Sequence, residues 1–425
     1  MSQTTRILAA LIGGIAMGIA AAAWSPANAI AVTAVTQPIG SAWLHGLQMV
    51  IVPLVVGLLV TGIGATTEAA RAGRITVRAM VMIVVILWST TIMSALVMPL
   101  ILDAFPLPHA LGSALRAALT GAAPVGPVPG IGAFFDTIVP TNIVAAASSD
   151  SFLPLTVFAL TFAFAVTKLP DDRRRVLTGF FQAVVDALLI IITWVLKLAP
   201  IGIFALAYGV GARTGTAAFG ALLHYIVCVS AIGFIVLLCA YPIGMIGGRV
   251  GFLSFARAVA PAQAVAISTQ SSLASLPAML KASTDLGASP ATAGIVLPLS
   301  VAVFRATSPA MNLAVALYVA HWLGLPIGPG QMAAGVATAA ITTMGSISLP
   351  GTISFVASVA PVALAMGIPL EVLGLLIAVE TIPDLFRTVG NVTMDTAVTI
   401  SVSARTGVTP DGTQEIPHEI SHAWP

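Results

Sequence analysis

The chain has 425 residues, of which 58% are hydrophobic and only 8% are charged, and its formal net charge is +2. This composition excludes an ordinary soluble domain and predicts a polytopic membrane protein. The few basic residues are scattered in short clusters, so the sequence offers no continuous basic surface and we expect no nucleic-acid partner.

The first apolar segment imitates a secretory signal, but the many apolar segments after it favour a first membrane helix. A membrane-spanning helix needs about 20 apolar residues. Prolines interrupt residues 128–168, which predicts a helix in pieces and brings the total to about eight spans. The other predicted spans are 6–25, 42–66, 78–102, 176–210, 217–246, 290–320 and 370–403.

Three short basic segments set the expected orientation: residues 68–78, 170–175 and 247–257. Lys and Arg near span ends are enriched on the cytoplasmic side. We therefore expect these segments and both termini in the cytoplasm, in a multi-pass protein of the inner (plasma) membrane. The polar, proline-containing residues 404–425 predict a flexible cytoplasmic tail.

Two further segments, residues 266–280 and 340–358, are apolar at both ends but rich in Ser and Thr at the centre, and each contains Ser-Leu-Pro. An open turn in hydrocarbon would leave backbone groups unpaired unless it is buried in protein or lines a wet cavity. We therefore predict two re-entrant helical hairpins, at about 254–284 and 331–365. Paired interrupted segments of this kind indicate the binding site of a transporter.

The last predicted span carries polar side chains on one face. Ionisable residues inside a membrane are costly and by default indicate a functional site. The alternative is an internal salt-bridge network that only fixes helix packing. At about 100° per residue, the following side chains fall on one arc, with the first of them one turn earlier: Glu380, Asp384, Arg387, Thr388, Asn391 and Asp395.

The chemistry of this stripe favours an acidic amino acid as the ligand. A carboxylate such as Asp384 suits an ammonium group, and the fork of Arg387 suits a carboxylate. Serines such as Ser271 and Ser272 in the first hairpin add hydroxyl donors. These serines have no histidine near them in sequence, which disfavours an intramembrane hydrolase. We expect no enzyme, no cofactor and no metal centre, and Cys228 with Cys239 reads as buried packing.

These motifs resemble the dicarboxylate/amino acid:cation symporter family, which includes glutamate and aspartate transporters. The most specific segment, DLFRTVGNVTMD, matches the last-helix pattern Asp-x-x-Arg-Thr-x-x-Asn-x-x-x-Asp. Other segments that resemble the family are MVIVPLVVGLLVTGI, IVPTNIVAAASSDSFLPLTVFAL, LKLAPIGIFALAYGVG, QSSLASLP and SLPGTISF.

The resemblance implies an all-α, glutamate-transporter-like fold with eight transmembrane helices, two re-entrant hairpins and inverted repeats. It also implies a homotrimer in the lipid bilayer, in which a mobile domain carries the substrate by an elevator-like motion. Residues 1–77 and 128–215 are then the scaffold and trimerisation domain, and residues 78–127 and 216–403 are the transport domain.

The resemblance also implies roles for single residues. Asp384 would hold the substrate ammonium, Arg387 its side-chain carboxylate, and Thr388 with Asn391 its amino-acid end. Ser271 and Ser272 would bind from the first hairpin. The tip of the second hairpin, expected to close as the extracellular gate, would comprise Leu349, Pro350 and Gly351.

One segment departs from the family. Where sodium-coupled members carry Asn-Met-Asp-Gly-Thr, this chain has Phe304-Arg305-Ala306-Thr307-Ser308. Ser308 keeps a hydroxyl at the threonine position, but the two sodium-binding side chains have no counterpart. We expect the fixed guanidinium of Arg305 to replace a sodium ion and to pair with Asp395. The alternative is that Arg305 extends to an interface or packs against the end of a helix.

The sequence therefore predicts a transporter that is not obligatorily coupled to sodium. Protons carried by Glu380, Asp384 or Asp395 would be a replacement driving force, because burial favours the protonated carboxyl. A passive uniporter, a channel-like protein and a sodium-coupled symporter with a rearranged ion site are the alternatives. The choice among aspartate, glutamate and another dicarboxylate stays open, because one methylene changes binding by only about 1–3 kcal/mol.

Overall fold

The structure, a computed structural model, describes residues 3–50, 52–54, 56–57, 59–61, 74–106, 141–148, 152–214, 217–345 and 351–405. The first helices are α1 Gln3–Trp24, α2 Pro26–Gln48, α3 Arg74–Ala104, α4 Ile143–Ser148, α5 Phe152–Thr167, α6 Asp171–Lys197, α7 Ala199–Thr214 and α8 Ala217–Gly248. They are followed by α9 Phe252–Thr269, α10 Leu276–Asp285, α11 Pro290–Val303, α12 Ser308–Leu323, α13 Pro329–Gly345, α14 Gly351–Ala365, a 3-10 turn Leu370–Val372, α15 Leu373–Leu376 and α16 Thr381–Ser403.

Four helical stretches in the described part of the chain are long and apolar enough to cross a membrane. They are Thr5–Trp24, Ile75–Ala104, Asp171–Lys197 and Phe219–Gly248. Each overlaps a predicted span, and large apolar side chains such as Leu96 and Leu223 are exposed on their outer faces. The described part of the chain is thus all-helical with lipid-compatible surfaces, as expected of a polytopic membrane protein.

Several predicted spans differ from the observed helices. The expected span at 42–66 starts much too late, because α2 already begins at Pro26. The polar residues after Pro26 lower the local hydropathy, but proline is well suited to the first turn of a helix. The expected span at 176–210 is two helices, since α6 ends at Lys197 and α7 begins at Ala199.

The helices α1, α2, α6 and α7 pack together, and the closest crossing is between α1 and α7. A Cβ on Gly14 would lie 2.7 Å from the backbone oxygen of Phe204, and one on Gly211 would overlap the backbone oxygen of Ile15. Small residues at such positions let two membrane helices approach backbone to backbone. The spacing Gly14-x-x-x-Gly18 on α1 is therefore a packing motif.

We expect Gly211→Ala to destabilise the protein, because the added methyl group meets the rigid backbone of α1. Overpacking of this kind costs about 1–3 kcal/mol. Thermal unfolding in detergent measures the loss. Gly209→Ala is the matched control on the same helix, since a Cβ there meets nothing within 4 Å. Equal melting temperatures for the two variants would contradict the close crossing.

The second group of packed helices comprises α3 and α8 to α14 together with α16. At its centre lies α12, whose residues from Ser308 to Ala320 are all buried. The helix α16 packs along α8 and is buried from Arg387 to Ser403. Polar residues on these central helices therefore face protein rather than lipid, as a membrane site requires.

Two helical pairs lie in the ranges expected for the hairpins. The helix α9 packs against α10, and α13 packs against α14. Re-entry of these pairs into a membrane from one side stays a prediction, since packing alone does not define the membrane plane. The two expected spans after them are wrong as continuous helices. The range 290–320 is broken at residues 304–307, and the last helix begins only at Thr381.

Candidate substrate site

The broken segment between α11 and α12 binds the middle of α16. The backbone N–H of Thr307 donates to Asn391 Oδ1 at 2.9 Å, and its hydroxyl lies 2.7 Å from the same oxygen and 2.8 Å from Arg387 O. Glycine at position 390 permits this approach, because a Cβ there would overlap Thr307 Cγ2. The site is thus assembled where the chain is interrupted between α11 and α12 and where α16 has a glycine, Gly390.

These contacts fix the orientation of the Asn391 amide. A backbone N–H can only donate, so the side-chain atom that receives it must be the oxygen. The Nδ2 amide group is therefore left as the donor end of Asn391. Its 3% exposure places this donor inside the protein, where a carboxylate is a suitable partner.

Arg387 is the centre of the charged stripe and is 1% exposed. Its Nη2 lies 2.8 Å from Glu380 Oε1, and its Nη1 lies 3.5 Å from Asp384 Oδ1. None of its three nitrogens makes an aligned hydrogen bond to a described residue. The guanidinium is thus compensated in charge but retains donors, which is the state expected of a carboxylate-binding arginine.

The acidic partner Glu380 is held from the opposite side by a tyrosine. Tyr225 on α8 is fully buried, and its hydroxyl donates to Glu380 Oε2 at 2.8 Å. Glu380 is the N-cap of α16 with helical backbone angles, and its carbonyl accepts from Asp384 N at 2.8 Å, so it lies one turn before Asp384, where the stripe prediction places it. Its side chain reaches Arg387 from this turn.

Thr388 has a different donor and acceptor pattern from Asn391. Its hydroxyl donates to Asp384 O at 2.9 Å, one turn earlier on α16. A hydroxyl has one proton, so what remains at Thr388 Oγ1 is acceptor capacity. Together with the carboxylate of Asp384, this gives the N-terminal half of α16 two acceptor groups that suit an ammonium group.

Arg305 lies in the broken segment and is 8% exposed, which excludes the alternative that it extends into solvent. Its electrostatic neighbours are Asp384 and Arg387. The carbonyl of the next residue, Ala306, accepts a hydrogen bond from Thr90 on α3 at 3.0 Å. The segment that carries the guanidinium is therefore hydrogen-bonded both to α16 and to α3.

Asp395 does not have the surroundings that the sequence suggested, which were a pair with Arg305. It is fully buried, and neither carboxylate oxygen accepts a hydrogen bond from a described residue. The expected Arg305–Asp395 pair is therefore not formed. The physical reason is that Arg305 sits on non-helical backbone, so helical periodicity does not set its direction, and its electrostatic interactions are with Arg387 and Asp384 instead.

The first hairpin reaches the site through a residue that the sequence did not single out. Gln270 ends α9 in a left-handed conformation with φ of 51°, and its Nε2 donates to Thr381 O at 3.2 Å. Ser271 and Ser272 lie in the following turn, where Ser271 Oγ accepts from Ala274 N at 3.2 Å. The hairpin tip is thus tied to the first turn of α16.

Two further expected positions have different outcomes. Ser308 begins α12 with 2% exposure, and its hydroxyl has no hydrogen-bond partner among the described residues. Such an orphaned buried hydroxyl is suited to a ligand. Leu349 and Pro350 lie outside the described residues, and Gly351 is the first residue of α14.

Comparison with known proteins decides the family. The profile of the sodium:dicarboxylate symporter family matches residues 4–405. The chain belongs to this family. The chain is therefore a member of a family of membrane transporters and not an enzyme.

Individual relatives of this symporter-family chain are similar to it over most of their length. The proton/glutamate-aspartate symporter of Escherichia coli (strain K12) is 28% identical over 92% of the chain and 90% of the relative. C4-dicarboxylate transport protein 2 of Bradyrhizobium diazoefficiens is 28% identical over 74% of the chain and 70% of the relative. The proton/sodium-glutamate symport protein of Bacillus subtilis (strain 168) is 24% identical over 95% and 92%.

Sequence reasoning missed three residues of this site: Tyr225, Gln270 and Thr307. Tyr225 follows His224 directly, and two adjacent polar aromatic side chains in an apolar span were an available signal. Thr307 precedes Ser308 and Pro309, a pattern typical of a helix start. That pattern indicates the break that positions the symporter site.

Proposed function

We propose that the protein is a secondary transporter of an acidic amino acid or a related dicarboxylate that works without obligatory sodium coupling. The observation that carries the proposal is the buried Arg387, whose donors are left unaligned while Glu380 and Asp384 balance its charge. A carboxylate is the ligand that such a fork binds best. The names of the relatives, which include glutamate, aspartate and C4-dicarboxylates, support this substrate class.

The donor and acceptor pattern supports one orientation of the substrate. Its side-chain carboxylate lies on Arg387, and its ammonium lies between Asp384 and Thr388 Oγ1. Its second carboxylate takes the Nδ2 donor of Asn391 and the hydroxyl of Ser308. The hairpin residues Ser271, Ser272, Leu349, Pro350 and Gly351 complete the enclosure in this proposal.

In this proposal, the guanidinium of Arg305 and a proton on Asp395 replace the sodium ions that sodium-coupled members of the family bind. Arg305 supplies a fixed positive charge beside Asp384. Asp395, which is fully buried without a hydrogen-bond partner in the described chain, takes up a proton, because an unpaired carboxylate in the interior is too costly to stay charged. The symport of protons named for the Escherichia coli relative supports this reading.

The packing of the helices supports an elevator-like motion. One packed group contains α1, α2, α6 and α7, and the other contains the site helices α3, α8 to α14 and α16. The first group agrees with a scaffold at 1–77 and 128–215, and the second with a transport domain at 78–127 and 216–403. A homotrimer with cytoplasmic termini, built on this scaffold, belongs to the same proposal.

Uptake by proteoliposomes tests the proposed function. We expect saturable uptake of labelled aspartate or succinate that is unchanged when choline replaces sodium and that increases with an inward proton gradient. A pH-sensitive dye inside the vesicles should report proton entry with the substrate. Asp395→Asn should keep exchange of substrate but lose the response to the proton gradient, because the amide cannot carry a proton.

Asp285→Asn is the matched control, because Asp285 forms an exposed pair with Lys281 at 2.8 Å that contributes little. It should behave like the unmodified protein. Uptake that disappears in choline and returns with sodium would overturn sodium independence. If the Asp395→Asn variant still responds to the proton gradient, Asp395 is not the residue that carries the proton.

A further inference from the structure

A histidine outside the substrate site joins three helices of the second group. His224 Nε2 lies 2.7 Å from Phe105 O, just beyond the end of α3, and Nδ1 lies 3.0 Å from the hydroxyl of Tyr318 on α12. The imidazole itself is carried by α8. No step of the proposed transport cycle uses it so far.

The chemistry of these two partners fixes the tautomer. A carbonyl oxygen can only accept, so Nε2 carries a proton in every charge state of the ring. Nδ1 is therefore the single position at which His224 gains or loses a proton. Imidazole is also the side chain that ordinarily changes charge near neutral pH.

The hydroxyl of Tyr318 can serve both charge states. Its oxygen lies 3.0 Å from His224 Nδ1 and 3.1 Å from Ala221 O. When the ring is neutral, the hydroxyl donates to Nδ1. When the ring is cationic, Nδ1 donates to the hydroxyl oxygen, and the hydroxyl proton turns to Ala221 O. Protonation therefore leaves none of the polar groups of His224 and Tyr318 without a hydrogen-bond partner.

The surroundings favour the added charge. Phe105 O is one of the carbonyls at the C-terminal end of α3, where a helix dipole attracts a cation. The titratable groups nearby are the exposed Asp103 on α3, Cys228 with Sγ at 3.8 Å on α8, and His321 on α12. Arg213 on α7 contacts Gln37 at 2.9 Å, and on the inner side Tyr225 of α8 and Glu380 at the start of α16 are the nearest titratable groups.

The junction is continuous with the substrate site. The rings of Tyr318 and Tyr225 pack edge to face with centroids 5.3 Å apart, and the hydroxyl of Tyr225 holds Glu380, the partner of Arg387. With the basic segments in the cytoplasm, the end of α3 that carries Phe105 faces the outside. A change at this end is therefore connected through two tyrosines to the carboxylate-binding arginine.

We propose that His224 is a second proton-binding site, at the outer end of α3, α8 and α12, which tightens this junction when protonated and so strengthens substrate binding. This inference rests on the proposed transport of acidic substrates. The site binds external protons reversibly and is distinct from the buried Asp395. It predicts that substrate binding becomes weaker as the external pH rises.

The test compares His224→Gln with the unmodified protein in proteoliposomes between pH 5.5 and 8. We expect the KM of the unmodified protein for aspartate to rise several-fold across this range, while the KM of the variant stays flat and its kcat changes little. His45→Gln, an exposed position on α2, is the matched control and should keep the unmodified profile. Parallel profiles for His224→Gln and the unmodified protein would overturn the proposal.

A second measurement does not depend on transport. In protein labelled with 15N-histidine, the signal that His224→Gln removes should show an Nε2-protonated neutral ring at high pH and a doubly protonated ring at low pH. Tyr318→Phe should shift that midpoint downward, because the cation loses its acceptor while the aromatic packing stays. A ring protonated on Nδ1 alone, or a midpoint unmoved by Tyr318→Phe, would exclude the site even where uptake proceeds normally.

Discussion

Arg387→Lys is expected to abolish substrate binding at ordinary concentrations. Lysine keeps the charge but loses the planar fork that binds a carboxylate with two hydrogen bonds. Removing one partner of a buried, hydrogen-bonded charge pair costs about 2–5 kcal/mol, which corresponds to roughly 30-fold to several-thousand-fold in affinity. Isothermal titration with aspartate or succinate in detergent measures the loss directly.

The fold of the variant must be checked separately, because Arg387 also balances Glu380 and Asp384. Arg387→Ala removes the ion partner of Glu380 and leaves Asp384 with Arg305 alone, so Arg387→Ala with Glu380→Gln is the informative partner variant. It should melt closer to the unmodified protein than Arg387→Ala alone, but should still not bind. Arg257→Lys, at an exposed position of α9, is the control for the Arg-to-Lys change itself. Binding that survives Arg387→Lys would show that the arginine is a structural counter-ion only.

Much of the site was predictable because it lies on one regular helix. Asp384, Arg387, Thr388 and Asn391 are spaced at helical intervals, and α16 is continuous from Thr381 to Ser403. Side-chain direction on such a helix follows from spacing alone. The same rule failed for Arg305. It sits on non-helical backbone, so its partners could only be found from the folded chain.

The helix packing also divides into features that local sequence predicts and features that only the folded chain shows. The glycines of α1 allow a close helix contact, but the partner helix α7 is nearly 200 residues away in sequence, and nothing local identifies it. The break between α11 and α12 was masked by apolar residues on both sides. Hydropathy measures how compatible a segment is with lipid. A segment buried inside the protein can be as apolar as a segment that spans the membrane, so hydropathy does not reveal the break.

Installing the sodium-binding pattern of the family at residues 304–306 is expected to make binding depend on sodium. The triple variant Phe304→Asn, Arg305→Met and Ala306→Asp removes the guanidinium beside Asp384 and adds oxygen ligands to a fully buried segment. Without a cation, the new carboxylate is unpaired, which costs about 3–5 kcal/mol when charged. Aspartate affinity in choline should therefore fall on the order of a hundredfold or more, and sodium should restore most of it.

Two single variants separate charge from ligand supply. Arg305→Lys keeps a cation beside Asp384 and should bind equally well in sodium and in choline. Arg305→Met removes the cation without adding oxygen ligands, so its affinity should fall in both salts. If Arg305→Met binds like the unmodified protein in choline, the guanidinium has no part in compensating the site. If it binds well only in sodium, the chain retains a cation site that Arg305 does not replace, and Asp395 becomes its ligand rather than a proton carrier.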